Sequence, residues 1–490
     1  MFENLINIVK YSIYLVPLII IIMGSIGIEN RSQRMTMVIK SFKLTLILIG
    51  LLIWIEDSNY VKLNGHLIKN ELIEVLEVIL IIISYIILNI IEKGIETGSK
   101  SKVTEETLIL MYSSIIGMLI SMEAHNLITL FLSLEISSIC FYILALNKNS
   151  RKMSIEGGLK YYIVGGIAST IILLGIVSIY KSTGSLMYTD ILITVIETEI
   201  DNRIKMGIAL LVLGLIIKLG IAPFHGWLID TYEGTGMMMT FFLTITQKIV
   251  TITVLINLYM NIITYINMEV MNKALIILIM ATLIVGTLGS LRQQKLIRFI
   301  AYSAIVNSGL LIMFFVGNNI EELVSYSIYY LINYIIGLTV LISITLGMRR
   351  KINGENIEIL TELRNIWINN KTIGALLIIV LIYLAGLPPF TNFISKLILI
   401  LPYIVEGRMY IAMIILFLTV GVMIYYLNIV KIILIDKKTY NGLDGKNIIE
   451  NYKLVNGGIV ISGGIMWIIY SQLFLDEIIN VIKIIVAISQ

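Results

Sequence analysis

The sequence MGIALLVLGLIIKLGIAPF, residues 206–224, carries Lys218 deep inside an apolar run. The run from Met206 to Ile217 is uncharged, and at 1.5 Å per residue a helix of this length places the lysine about 18 Å from the start of the run. A lysine side chain is too short to reach the membrane interface from that depth. A charge at the bilayer centre costs roughly 2.5 to 3.5 kcal/mol on insertion scales, so such residues usually mark ion or proton routes.

Three further ionisable residues occupy comparable positions. Glu135 lies near the middle of NLITLFLSLEISSICFYILALN (residues 126–147), while Lys248 and Lys396 each have a long uncharged stretch on one side. With Lys218 they form a buried set of both signs. Charge movement through a membrane is therefore the leading functional hypothesis. The competing interpretation is a static buried ion pair between Glu135 and Lys218 that fixes helix register.

The composition predicts an all-α polytopic membrane protein. Hydrophobic residues make up 58% of the chain, charged residues make up 14%, and the mean hydropathy is +0.94. Segments of about 18 to 25 apolar residues recur along the sequence, which is the length that a membrane-spanning helix needs. We predict about fourteen spans, at residues 11–28, 37–55, 72–91, 107–125, 127–147, 159–180, 204–224, 238–262, 273–291, 296–316, 322–348, 373–400, 409–434 and 454–475. Loops after odd-numbered spans carry most of the basic residues, which predicts that they face inside.

A repeated GxxPF pattern predicts two broken helices. Gly220-Ile-Ala-Pro223-Phe224 ends the seventh predicted span, and Gly386-Leu-Pro388-Pro389-Phe390 interrupts the twelfth. Proline removes a backbone donor and glycine loosens the chain, so both helices should be discontinuous and should expose backbone groups to water. Simple packing kinks are the alternative.

The two copies of the pattern lie five spans apart, which predicts two five-helix repeats of inverted orientation. The predicted division is an N-terminal three-helix segment at residues 1–104, the first repeat at 105–269, the second repeat at 270–440, and a C-terminal transmembrane helix with a tail at 441–490.

Cysteine and histidine usage argues against redox cofactors and metals. Cys140 is the only cysteine, which excludes iron–sulfur ligation, and the three histidines, His66, His125 and His225, are far apart in the sequence. A surface or packing role is expected for His66 and His125. Since no motif for NADH, flavin or quinone is present, we expect no cofactor and no metal in this chain.

Several motifs resemble one family of membrane subunits. The matching segments are GLIIKLGIAPFHGWLIDTYEG (residues 214–234), NLITLFLSLEISSICFYILA, IEGGLKYYIVGGIAS, GTLGSLRQQKLIRFIAYSAIVNSG and LAGLPPFTNFISKLILI. They resemble the antiporter-like, proton-pumping subunits of NADH:ubiquinone oxidoreductase, respiratory complex I, and the TYEG ending resembles subunit 2 within that group.

The resemblance implies a role for each buried charge. Glu135 is similar to the family's carboxylate that biases the neighbouring channel lysine, here Lys218. Lys248 is similar to the central relay, and Lys396 to the terminal group from which a proton leaves. Apart from the resemblance, the position of His225 beside the Pro223 break favours a role in proton access, and a simple interfacial side chain is the alternative.

Two further positions are open to interpretation. Glu156 and Lys160, spaced i, i+4, are expected to form an interfacial salt bridge, although the family match in IEGGLK also suggests a water-channel role. Asn307 stands where many relatives have histidine, so an imidazole relay is lost or replaced there.

The resemblance implies an enzyme subunit without redox chemistry of its own. NADH, FMN, iron–sulfur clusters and ubiquinone would be bound by other subunits, and the partners would be other membrane-arm subunits, including antiporter-like ones, and lipids, with no nucleic acid. The expected location is the mitochondrial inner membrane, or alternatively a bacterial plasma membrane. An Mrp-type cation/proton antiporter subunit and a purely structural membrane subunit are the alternative functions.

Overall fold

The computed structural model describes most of the chain as helix. The described residues are 19, 31–55, 60–62, 65–96, 103–146, 151–197, 201–266, 268–317, 319–350, 357–434, 449–450 and 457–489. The α-helices are α1 Arg31–Ile55, α2 Glu71–Glu96, α3 Glu105–Glu123, α4 Leu127–Ala145, α5 Arg151–Thr183, α6 Tyr188–Glu197, α7 Asn202–Leu219, α8 Gly226–Thr235, α9 Met237–Asn261, α10 Glu269–Leu291, α11 Leu296–Leu311, α12 Ile320–Gly347, α13 Ile366–Asn369, α14 Lys371–Ala385, α15 Thr391–Val405, α16 Met409–Leu434, α17 Gly457–Leu473 and α18 Leu475–Ile488.

Short elements join these helices. Two antiparallel strand pairs are present, β1 Tyr60–Lys62 with β2 Leu67–Lys69 and β3 Arg349–Arg350 with β4 Ile449–Glu450. The 3₁₀ segments in the described chain are Ile263–Tyr265, Ile312–Phe315 and Leu360–Asn365. The all-α class predicted from the composition is therefore confirmed.

Side-chain caps explain where several helices begin. Thr104 and Thr107 form a reciprocal capping box at the start of α3. The Asn126 side chain accepts a hydrogen bond from the Ile128 amide at 2.8 Å at the start of α4, and Asn370 caps α14 in the same way through Ile373. Such caps satisfy amides that lack a partner within the helix.

Membrane-spanning potential is spread along the described chain. Ten helices in the described ranges are long and apolar enough to cross a membrane, and the shorter apolar helices are Lys371–Ala385, Thr391–Val405 and Val460–Leu473. The first predicted span, residues 11–28, lies outside the described residues apart from position 19. The count of fourteen spans therefore stays a prediction.

Both predicted helix breaks are confirmed. Helix α7 ends at Leu219 and α8 begins at Gly226, while α14 ends at Ala385 and α15 begins at Thr391. Each break opens on a glycine in the left-handed region, Gly220 with φ 72° and Gly386 with φ 76°. A side chain at φ values of this kind is strained, which accounts for glycine at these positions.

The chain divides into two compact units, each with its own core. One unit comprises the described parts of Met1–Leu219 together with Phe242–Met271 and Ile485–Gln490. In it α5 and α7 approach closely through glycine: a Cβ on Gly207 would lie 2.9 Å from the Gly175 carbonyl oxygen, and one on Gly214 would lie 2.8 Å from the Ala168 carbonyl oxygen. Backbone contact of this kind needs small residues, as is common between membrane helices.

The other unit comprises Gly220–Phe241 and the described parts of Asn272–Ile484. Its core contains an unusual number of tyrosines, and the largest fully buried side chains of this unit include Tyr329, Tyr330, Tyr334, Tyr383, Tyr403, Tyr425 and Tyr426. The predicted division into five-helix repeats at 105–269 and 270–440 stays a prediction.

Candidate functional site

Glu135 and Lys218 form an ion pair inside the first unit. The Lys218 Nζ atom lies 3.2 Å from Glu135 Oε1, with the lysine side chain 6% exposed and the glutamate side chain 25% exposed. Glu135 is at the middle of α4, and Lys218 is in the last turn of α7. Two residues that the sequence predicted to interact are therefore in direct contact. A buried ammonium with a carboxylate partner is a group whose charge can be controlled locally.

Two serine hydroxyls complete the surroundings of the pair. Lys218 Nζ donates to Ser138 Oγ at 3.0 Å, and Ser169 Oγ donates to Glu135 Oε1. Ser138 lies three residues after Glu135 on the same face of α4, whereas Ser169 comes from α5. Hydrogen bonds to charged groups are stronger than neutral ones, so both serines stabilise the ionised pair.

Glycine allows the three helices to bring these groups together. A Cβ on Gly165 of α5 would lie 2.1 Å from the Tyr142 hydroxyl oxygen, so only glycine leaves room for this buried tyrosine of α4. Ser169 follows Gly165 by one helical turn, and its Oγ atom also lies 3.0 Å from the Gly165 carbonyl oxygen. The close approach of α4 and α5 thus positions Ser169 for its contact with Glu135.

Lys248 lies next to a residue that binds the Lys218 backbone. Lys248 belongs to α9 and is 3% exposed. The side chain of Gln247 donates from Nε2 to the Lys218 carbonyl at 3.1 Å and accepts from the Tyr161 hydroxyl at 3.3 Å. Gln247 therefore links α9 to the end of α7, which places Lys248 in the same unit as the Glu135–Lys218 pair.

Lys396 is held differently, by backbone carbonyls of the second unit. Its Nζ atom donates to the carbonyls of Leu384 at 3.2 Å and Ala385 at 3.1 Å, and the residue is 3% exposed. These carbonyls belong to the last turn of α14. They lack amide partners within the helix because the break at Gly386 follows. The negative end of the α14 dipole therefore faces the ammonium group.

Asn333 forms a polar hub near this break. It is fully buried in α12, accepts from the Tyr383 hydroxyl at 3.1 Å and from Trp467 Nε1 at 3.2 Å, and donates to the Tyr329 carbonyl at 3.0 Å. The hub joins α12, α14 and α17. Sequence reasoning missed it, because an asparagine inside an apolar helix gives no sign of which helices it contacts.

Asn307 replaces the histidine that the resemblance leads one to expect. Its Oδ1 accepts a hydrogen bond from the Tyr330 hydroxyl, and its Nδ2 donates to the Ser303 carbonyl at 2.6 Å. An amide does not titrate at neutral pH, so Asn307 positions a tyrosine hydroxyl and carries no proton charge itself. Sequence reasoning assigned no functional role to the tyrosines.

The remaining predicted residues lie apart from the buried lysines or at a break. Glu156 and Lys160 form the expected i, i+4 salt bridge at 2.6 Å on the outer surface of α5, with side chains 64% and 44% exposed. His225 occupies the position just before α8 at the first break, makes no side-chain capping hydrogen bond and is part-buried; its Nδ1 atom has no hydrogen-bond partner among the described residues. A water-channel role for Glu156 and Lys160 and an access role for His225 stay predictions.

One charged pair joins two helices of the first unit. Lys43 belongs to α1, and its Nζ atom contacts Glu92 of α2. Both side chains are mostly buried.

His125 is a packing residue, as expected. It is buried between α3 and α4, and its ring centroid lies 4.9 Å from that of Tyr188. Burial lowers the pKa of His125 to about 4, so the ring is neutral at physiological pH. In the described parts of the chain no group of three histidine, cysteine, aspartate or glutamate residues could hold a metal ion.

A family model matches the region that contains all four buried charges. The NADH:quinone oxidoreductase/Mrp antiporter transmembrane family matches residues 124–423, well over half of the chain. The match starts just before α4 and ends within α16, so it includes both broken helices. The chain therefore belongs to this family of membrane subunits.

A relative of high sequence identity indicates which subunit type within the family this chain is similar to. The chain is 72% identical to the NADH-ubiquinone oxidoreductase chain 2 of Dictyostelium discoideum, over 100% of this chain and 99% of that protein. The predicted resemblance to subunit 2 is thus confirmed.

Solved structures with low sequence identity share the fold. A chain of respiratory complex I from Thermus thermophilus aligns with a TM-score of 0.77 at 18% identity, over 96% of this chain and 98% of that one. A chain of the Mrp complex from Dietzia sp. DQ12-45-1b aligns with a TM-score of 0.78 at 16% identity, over 100% of this chain and 98% of that one. Fold alone does not distinguish the two kinds of complex.

Proposed function

We propose that this chain is the antiporter-like membrane subunit of a respiratory complex I, NADH:ubiquinone oxidoreductase, and that it moves protons through its buried glutamate and lysines. Electron transfer elsewhere in the complex drives the movement. The 72% identity to an NADH-ubiquinone oxidoreductase chain 2 supports the assignment to this complex. The family model matches the segment with the four charges, which supports the antiporter-like role.

The Glu135–Lys218 contact is the observation that carries the proton-moving role. At 3.2 Å the attraction between unit charges is about 5 kcal/mol at an effective dielectric of 20, and at 6 Å it is about 3 kcal/mol. A movement of this size therefore changes the stability of the charged lysine by roughly 2 kcal/mol, or more than tenfold in proton occupancy. Moving one elementary charge against 100 mV costs about 2.3 kcal/mol, so the switch has a suitable magnitude.

The other two lysines extend the route in this proposal. Lys248 receives the proton in the first unit, where Gln247 of the same helix binds the backbone of Lys218. Lys396 is the terminal group of the route, as the resemblance implies, and two carbonyl oxygens accept hydrogen bonds from its ammonium form before it releases the proton. Water in the broken-helix regions would hydrate Lys218 and Lys396.

Redox chemistry belongs to other subunits. NADH, FMN, iron–sulfur clusters and ubiquinone bind elsewhere in the complex, and this chain supplies proton movement alone. The single cysteine, Cys140, supports this division, since cluster ligation requires several thiolates.

The proposed location is the mitochondrial inner membrane, among other antiporter-like subunits and lipids. The ten described helices of spanning length support a multi-pass arrangement. An Mrp-type antiporter subunit is the rival with the same fold, and the identity to a complex I chain favours the assignment made here. A structural subunit whose charges only fix assembly is the other rival.

Replacement of Lys218 by methionine in the assembled complex tests the function. Proton uptake into proteoliposomes and NADH-driven ubiquinone reduction are measured together, and assembly is followed by native gel electrophoresis. We expect normal assembly and at least a tenfold loss of pumping, as the removal of an obligatory carrier requires. Lys181→Met, at an exposed position of α5, is the control and should leave both activities unchanged.

The alternatives give different results in the same experiment. Pumping at the normal proton-to-electron ratio in the Lys218→Met complex would refute the relay. Failure of assembly would favour the structural role. Copurification with sodium-dependent antiporter subunits, without NADH-oxidising subunits, would favour the Mrp alternative.

A further inference from the structure

Asn392 shares a hydrogen-bond acceptor with Lys396. Its Nδ2 atom donates to the carbonyls of Tyr383 at 3.0 Å and Leu384 at 3.2 Å, and Lys396 Nζ donates to the same Leu384 carbonyl at 3.2 Å. The two side chains are four residues apart on α15 and therefore lie on one face of the helix. Asn392 is consequently a neighbour of the lysine that sequence reasoning did not single out.

The orientation of the Asn392 amide is fixed by chemistry. Two carbonyl oxygens face one end of the amide, and a carbonyl can only accept, so that end must be the NH₂ group. The oxygen, Oδ1, therefore points away from them. It is a buried acceptor without a hydrogen-bond partner in the described ranges of the chain, and the residue is 2% exposed.

A buried acceptor of this kind needs a donor. Leaving an amide oxygen unpaired in an apolar interior costs free energy, and in native proteins such atoms are normally satisfied by protein or by ordered water. A buried water needs two to four polar partners. The neighbouring Lys396 offers one, because an ammonium has three N–H donors and two of them are used on Leu384 and Ala385.

We propose that Asn392 Oδ1 and Lys396 Nζ form a binding site for one water molecule, which is the first proton acceptor beyond Lys396. The water accepts a hydrogen bond from the ammonium and donates one to Asn392 Oδ1. Asn392 acts as a positioning residue: it orients the water and touches no other part of the route.

The proton step through this site is balanced. One N–H bond of the Lys396 ammonium breaks and one O–H bond of the water forms, which leaves a neutral amine and a hydronium ion. The hydronium ion donates to Asn392 Oδ1 in a charge-assisted hydrogen bond and passes its extra proton to the next water. The inference rests on the proposed function, because it requires Lys396 to carry protons.

Two substitutions of Asn392 separate this role from a purely structural one. Asn392→Leu keeps much of the side-chain volume, removes the acceptor and excludes water with an apolar group. Asn392→Ala also removes the acceptor but leaves space in which a second water can replace the amide. The water-site role predicts that leucine lowers pumping more than alanine does, whereas a packing role predicts the reverse, because alanine leaves a cavity.

Proton pumping per NADH oxidised is measured in proteoliposomes that contain the assembled complex, with assembly verified for each variant. We expect at least a fivefold loss for Asn392→Leu and less than a twofold loss for Asn392→Ala. Thr391→Val, at the position before Asn392, is the matched control. It removes a buried hydroxyl that accepts a hydrogen bond from Ser471 at 3.2 Å, and it should leave pumping unchanged.

The outcomes distinguish the inference from the function on which it rests. Equal pumping in both Asn392 variants and the wild type, with pumping lost in Lys396→Met, would overturn the water site and leave the relay intact. Retained pumping in Lys396→Met would overturn both. High-resolution cryo-electron microscopy of the complex gives a second test if either variant fails to assemble: density for a water within hydrogen-bond distance of Asn392 Oδ1 and Lys396 Nζ is expected, and a protein donor there would refute the site.

Discussion

The two lysines at the helix breaks are stabilised by different kinds of partner. Lys218 contacts a carboxylate, Glu135, and a hydroxyl, Ser138, whereas Lys396 contacts two backbone carbonyls at the end of α14. A carboxylate on a separate helix can move or be protonated. Helix carbonyls are fixed in number and direction. The proposed function therefore assigns a switchable charge to Lys218 and a charge with a constant bias to Lys396.

The surroundings of the two breaks differ in a second way. Both begin with a left-handed glycine, yet a Cβ on Gly386 would lie 2.8 Å from Lys396 Nζ, whereas one on Gly220 would meet Leu228 Cδ1 at 2.6 Å. The absence of a side chain therefore leaves room for a lysine at one break and for an apolar leucine at the other. The scaffold repeats, but the chemistry attached to it does not.

Removal of the carboxylate should have the largest effect. Glu135→Ala leaves Lys218 buried without its counter-charge, and breaking a buried ion pair costs about 3 to 5 kcal/mol. We expect a loss toward the lower end of this range because the glutamate is 25% exposed, together with at least a tenfold loss of pumping. Thermal unfolding of the purified complex and proton uptake into proteoliposomes measure the two quantities.

Glu135→Gln is the control for shape. It keeps the oxygen that accepts from Ser169 but removes the charge, so its stability should exceed that of the alanine variant while pumping stays low. Normal pumping in the glutamine variant would show that the switch does not depend on the carboxylate charge.

The hydroxyl beside Lys218 should matter less than the carboxylate. Ser138→Ala removes one hydrogen bond to a charged group, which is worth about 1.5 to 3 kcal/mol. We expect pumping to fall severalfold, measured as the initial rate of proton uptake. Ser133→Ala, a substitution of a buried serine on the same helix that bonds to backbone carbonyls, should leave the rate unchanged. Equal effects of the two substitutions would indicate general helix destabilisation.

The two glycines provide a matched pair of substitutions. Gly386→Ala and Gly220→Ala each place a side chain in the left-handed region at a cost of roughly 1 to 2 kcal/mol. Stability should fall similarly in both, but only the Gly386 variant crowds Lys396, the terminal lysine of the proposed route, and it should lower pumping more than its stability loss explains. The ratio of pumping to ubiquinone reduction measures this difference, and an identical ratio in both variants would contradict it.

The exposed pair on α5 should have the smallest effect. Glu156→Gln breaks the surface salt bridge with Lys160, and exposed i, i+4 pairs contribute only about 0.3 to 0.5 kcal/mol. Pumping should remain within experimental error of the wild type. A strong loss would instead support the water-channel role that the IEGGLK motif suggested.

Much of the site could be predicted because burial in a membrane follows from run length. The uncharged stretches around Lys218, Lys248 and Lys396 were enough to predict buried lysines, and the GxxPF pattern was enough to predict both breaks. These inferences depend on local sequence and on the thickness of the bilayer. They need no knowledge of how helices pack.

The neighbours of the charges could not be predicted in the same way. Ser169 and Gln247 reach the Glu135–Lys218 pair from other helices, and Asn333 joins three helices through one amide. Such contacts depend on the rotation of each helix about its axis, which an almost uniformly apolar sequence does not specify. Helix ends were missed for a related reason: polar residues such as Arg31 continue α1 beyond the apolar run.

A double variant that removes both charges of the ion pair tests whether these residues carry protons or only pack. Glu135→Gln combined with Lys218→Met replaces both charges with side chains of similar volume, and removal of a buried ion pair in this way is often neutral for stability. The measurement is the number of protons taken up per NADH oxidised by the assembled double variant in proteoliposomes. A stable complex with that number sharply reduced is the predicted result, and a stable complex that pumps at the wild-type ratio would contradict the assignment of Glu135 and Lys218 to the proton route.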